Sequence, residues 1–102
     1  MEYNKLVRDK IPQIIKDKGV TATIHIASKK EYEEKLREKL LEETKEYLEE
    51  PCAEELADIL EVVYALASLL GLESSELEEI RRDKELKRGG FKERIILERT
   101  DN

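Results

Sequence analysis

Two pairs of acids stand three residues apart near the middle of the chain: Glu43 and Glu46, then Glu55 and Asp58. Three-residue spacing places each pair on one face of a helix, one turn apart. A proline, Pro51, lies between the pairs. Proline disfavours helix in the residue before it and fits the first turn of the helix after it. The pattern therefore predicts two helices meeting at a short turn. If they pack antiparallel, the end of the first brings Glu43 and Glu46 towards Glu55 and Asp58 at the start of the second.

Four converging carboxylates repel one another and lose hydration unless cations neutralise them. Oxygen donors with no histidine or cysteine among them suit Mg²⁺, with Mn²⁺ as a substitute, better than zinc or a histidine-bearing di-iron centre. A metal so held would bind anionic phosphate. A solvated acidic face has the same spacing, and a chain with 25 acids supplies many such pairs. The neighbouring pattern is what favours the site. In the second helix, Glu55 and Asp58 continue into Val62, Ala65 and Leu69, an otherwise apolar line of the kind that packs against protein. Beside it, Leu56, Ile59, Val63, Leu66 and Leu70 read as the ordinary core stripe. In the first helix, Tyr32, Leu36, Lys39 or Leu40, Glu43 and Glu46 or Tyr47 lie along one side.

The elements that would position these acids follow from periodicity and stop signals. A short helix is expected from Ile11 to Lys18, with Pro12 in its first turn and Gly19 as its stop. Residues 21–27 alternate in the manner of a half-buried strand, with Ala22, Ile24 and Ile26 on one side. Ser28 and Glu31 have capping-box spacing and open the first long helix, which runs to about Glu49. The second spans roughly Cys52 to Leu70 and closes at Gly71. Ser75 and Glu78 give another capping-box pattern for a third long helix, which ends near Arg88 before Gly89 and Gly90. Residues 94–99, with Ile95, Ile96 and Leu97, predict a second strand pairing with the first. The expected fold is mainly α: one helical-bundle domain over residues 1–102 with a small two-stranded β element.

Composition agrees. Charged residues make up 43% and apolar residues 39% of 102 residues, which suits amphipathic helices. The formal net charge of −6 argues against nucleic-acid binding, and no aromatic residues interleave the basic ones as stacking platforms. Nothing resembles a secretory signal or a membrane span, and Cys52 is the only cysteine. A soluble cytoplasmic protein is expected. Apolar residues on two adjoining stripes of the second long helix exceed what one small chain covers, so a homodimer or a tetramer of dimers is expected.

The carboxylate pattern resembles the all-alpha nucleoside triphosphate pyrophosphohydrolase superfamily, the MazG-like and phosphoribosyl-ATP pyrophosphohydrolase-like proteins. Residues 4–12 (NKLVRDKIP), 39–46 (KLLEETKE), 54–62 (EELADILEV) and 87–91 (KRGGF) carry the resemblance. The family's Glu-Glu-x-x-Glu followed by Glu-x-x-Asp is matched by Glu42, Glu43 and Glu46, then Glu55 and Asp58. The eight residues between Glu46 and Glu55 are fewer than in the MazG pattern and imply a tight helix connection. The resemblance implies that Glu43, Glu46, Glu55 and Asp58 ligate the metal. It further implies hydrolysis of the α–β phosphoanhydride of a nucleotide to a monophosphate and pyrophosphate, with Glu43 or Glu46 acting on the attacking water. Lys84, Lys87 and Arg88 are as a group the best candidates for phosphate contacts, though taken singly each is better explained as complementing the helix C-terminus. Lys5, Arg8 and Lys10 are either surface charges or contacts to the site or to a neighbouring subunit. His25 and Cys52 lack partners in sequence and are assigned no catalytic role. The competing function is a non-catalytic helical interaction module that keeps the scaffold without turnover.

Overall fold

A computed structural model describes residues 1–102. Four helices follow in order: α1 (Ile11–Asp17), α2 (Lys29–Glu49), α3 (Ala53–Leu69) and α4 (Ser74–Arg88). Each boundary has a local cause. Pro12 occupies the first turn of α1, and Gly19, at φ +79°, turns the chain away after it. The Ser28 hydroxyl accepts from the Glu31 amide at 3.2 Å and starts α2. The Glu31 side chain does not close the capping box. It binds the His25 ring at 2.9 Å instead. After α2, Glu50, Pro51 and Cys52 are non-helical and allow α3 to fold back. The helix connection is tight, as the eight-residue separation implies.

The start of α4 differs from the sequence expectation. Its N-cap is Glu73, which forms a reciprocal capping box with Glu76, rather than Ser75 with Glu78. Leu72 just before the cap and Leu77 at the fourth helical position are both half-buried, the positions of a hydrophobic staple. Burying that apolar pair sets the start two residues earlier. Glu78 instead pairs with Arg81, which also binds Glu85.

α2 and α3 form the centre of the molecule as a helical hairpin, and α4 touches only α3. Leu36, Val62 and Ala67 are buried between them, and so is one charged residue, Glu43. The rotation of α3 corrects the reading of its two stripes. The acid-bearing line of Glu55, Asp58, Val62, Ala65 and Leu69 faces inward, every member buried or half-buried. Of the stripe expected to be core, Ile59, Val63 and Leu66 are half-buried, but Leu56 is 51% and Leu70 79% exposed.

The two-stranded β element is absent. Residues 21–27 and 94–99 are non-helical and form no ladder. A Phe91–Arg94 turn, with Arg94 at φ +57°, interrupts the second segment where its strand would begin. The large apolar side chains of both segments are uncovered: Ile24, Ile26, Ile95, Ile96 and Leu97 are all exposed. A lone pair of strands without a covered apolar face is marginal in water.

The chain is extended, 63 × 32 × 24 Å with a radius of gyration of 18.2 Å. About 13 Å is ordinary for a compact domain of this length. It exposes 9749 Å², where a compact monomer of 11.9 kDa exposes about 6,000 Å². No helix is long and apolar enough to cross a membrane.

Candidate functional site

The inward faces of α2 and α3 bring acids together at the Pro51 end of the hairpin. Glu43 lies two turns after Leu36 on the buried side of α2 and is only 6% exposed. Glu55 and Asp58, one and two turns into α3, face it. Carboxylate oxygens of Glu43, Glu55 and Asp58 all lie within 4.8 Å of one another. That spread suits three ligands around one divalent ion of the hard, oxygen-preferring kind.

Glu46 sits one turn beyond Glu43 and is half-buried. It lies outside the three-residue group but close enough to feel the charges of Glu43 and Glu55. Glu43 pushes its pKa up to about 7, first by favouring its protonated, hydrogen-bonding form and then by its charge. Burial raises Glu55, with the Glu43 and Asp58 charges adding and a hydrogen bond from Glu46 opposing. Groups shifted in this direction are short of positive charge.

Two observations separate this cluster from a solvated acidic face. Oε2 of Glu43 and Oε2 of Glu55 are both buried without a hydrogen-bond partner. An unpaired buried carboxylate oxygen is costly, and a cation is the partner that satisfies it. The second is the arrangement of basic residues at the rim. Lys39 reaches Glu43 Oε1 at 3.2 Å along the same helix. From the N-terminal segment, Lys5 reaches Glu42 at 3.5 Å, and Arg8 binds Asp58 Oδ1 at 2.6 Å with Glu61 at 3.8 Å. Beyond the cluster, Glu46, Glu49, Glu50 and Glu55 line an open recess of about 460 Å³ with no apolar wall. Its all-acidic lining suits cations, and it lacks a surface on which a nucleobase would stack.

Lys84, Lys87 and Arg88 form no hydrogen bond or ion pair with the acids. Arg8, carried in the N-terminal segment, is the cation that the fold brings to Asp58 across 50 residues of sequence. Sequence spacing gives no signal for that contact, because the segment before α1 has no periodicity that aims it. His25 is exposed and paired with Glu31, and Cys52 is an exposed free thiol.

Compared with protein-family models, with curated proteins and with solved structures, the chain matches none.

Proposed function

We propose that this chain is a Mg²⁺-dependent nucleotide pyrophosphohydrolase that cleaves the α–β phosphoanhydride to give a monophosphate and pyrophosphate. The observation that carries the reading is Glu43, a buried carboxylate with an unpartnered oxygen facing Glu55 and Asp58. Glu43, Glu55 and Asp58 would hold the ion, with Glu46 as a fourth donor; Mn²⁺ is the natural substitute. When bound, the ion neutralises phosphate oxygens and acidifies water near the scissile bond.

The chain's own residues supply the rest. Water attacks the α-phosphorus, the bond to the bridging oxygen breaks, and pyrophosphate leaves with the electron pair. Glu46, or Glu43 beside it, takes the water's proton. Lys84, Lys87 and Arg88 are proposed as phosphate contacts delivered by a second copy, since within one chain they do not touch the acids.

The same reading makes the protein a cytoplasmic homodimer or tetramer. On α3, Leu56, Leu60 and Tyr64 form an exposed line at helical spacing, and Leu41 and Leu48 are exposed on α2. The same apolar surface favours a second reading, a non-catalytic interaction module. Incubation with nucleoside triphosphates separates them: the enzyme yields monophosphate and pyrophosphate in the presence of Mg²⁺, and the module yields neither.

A further inference from the structure

Resting on that reading, we infer that Arg8 and a divalent cation compete for Asp58, and that Arg8, once displaced, binds the pyrophosphate portion of the substrate. Asp58 belongs to the three-carboxylate group, and its Oδ1 already holds the Arg8 guanidinium at 2.6 Å. A carboxylate committed to a charge-assisted hydrogen bond of that length is a poorer metal ligand until the bond is given up. Giving it up is easy here. Arg8 is 54% and Asp58 39% exposed, so water screens the pair and rehydrates both groups.

The segment that carries Arg8 is lightly held. Residues 1–8 form no helix or strand, and their one backbone hydrogen bond is from the Ile11 amide to the Arg8 carbonyl. Leu6 is its only half-buried side chain, and Lys5 contributes a second exposed ion pair, to Glu42. Released from Asp58, the guanidinium stays near the acids because Leu6, two residues before it, is half-buried and Lys5 pairs with Glu42. There its planar fork matches two oxygens of a phosphate. Arg8 therefore serves as a counter-ion to Asp58 in the metal-free chain and as an anion-binding residue in the loaded one.

Titration calorimetry on the full chain tests this without turnover, using Mn²⁺ alone and then inorganic pyrophosphate at saturating Mg²⁺. Arg8→Gln should bind Mn²⁺ up to about fivefold more tightly, the upper range for loss of an exposed competing ion pair. It should bind pyrophosphate about tenfold more weakly, the scale of one lost hydrogen bond to a charged group. Arg8→Lys, which keeps the charge but loses the fork, should retain wild-type Mn²⁺ affinity and still bind pyrophosphate more weakly than wild type. Unchanged affinities in Arg8→Gln, or tighter metal binding with unchanged pyrophosphate binding, would overturn the inference while leaving the metal site standing. Failure of the wild-type chain to bind Mn²⁺ would overturn both.

Discussion

Glu43, one turn earlier on α2, raises the Glu46 carboxyl to about 7, first by favouring its protonated, hydrogen-bonding form and then by its charge. The folded state thus holds a proton on Glu46 that the unfolded chain releases near 4.5. Between those two values the native state binds more protons, so stability conferred by protonated Glu46 is present at low pH and lost as pH rises through about 7. In chelator, the melting temperature contributed by this group should fall from pH 5.5 to pH 8. Glu46→Gln should flatten that part of the profile. Added Mg²⁺ should flatten it as well, by replacing the proton, and Mg²⁺ affinity should weaken as pH drops below 7. A slope equal in wild type and Glu46→Gln would contradict the coupling.

Glu43→Gln and Asp58→Asn remove one ligand each while keeping side-chain volume. Each should lower Mg²⁺-dependent turnover by about 100-fold or more, the scale expected when a metal or proton-transfer partner is lost. Neither should cost the fold. In chelator Glu43→Gln should melt no lower than wild type, because it removes charge from a cluster in which the Glu43 charge is unfavourable to Glu46 and Glu55. Thermal melts with and without Mg²⁺, read beside activity, check both statements; full activity in either variant removes that residue from the site.

Leu56, Leu60 and Tyr64 make a single exposed line on α3. If a second copy covers it, Leu60→Glu places a charge in the interface and should shift the protein from dimer or tetramer towards monomer. Sedimentation velocity of both proteins reads this directly. A monomeric wild type would contradict the assembly.

The acidic hairpin was legible in sequence because its evidence is local: three-residue spacing, an apolar continuation in Val62, Ala65 and Leu69, and a proline between the helices. That the acid-bearing line faces protein was legible too; that Leu56 and Leu70, at the ends of the other stripe, stay exposed was not. Neighbouring stripes differ by a rotation of one residue, and apolar content favoured the line through Leu56 and Leu70. The position of α2 sets the rotation, since its buried face runs from Leu36 into Glu43 and meets the acids on α3. Residues 21–27 and 94–99 misled for a related reason. Alternation identifies a segment able to form a strand, but a ladder needs a partner and a covered face, and this chain alone provides neither. The contact between Arg8 and Asp58 spans 50 residues and lay beyond any periodicity argument.

The most direct test of the account is pyrophosphate release from a panel of canonical and modified nucleoside triphosphates and phosphoribosyl-ATP, comparing wild type with Asp58→Asn, each in Mg²⁺ and in chelator. The account predicts release by the wild type in Mg²⁺ only, with a nucleoside monophosphate as co-product and loss of activity in Asp58→Asn. Release that survives the chelator or the Asp58→Asn change, or no release from any of these nucleotides, would contradict it.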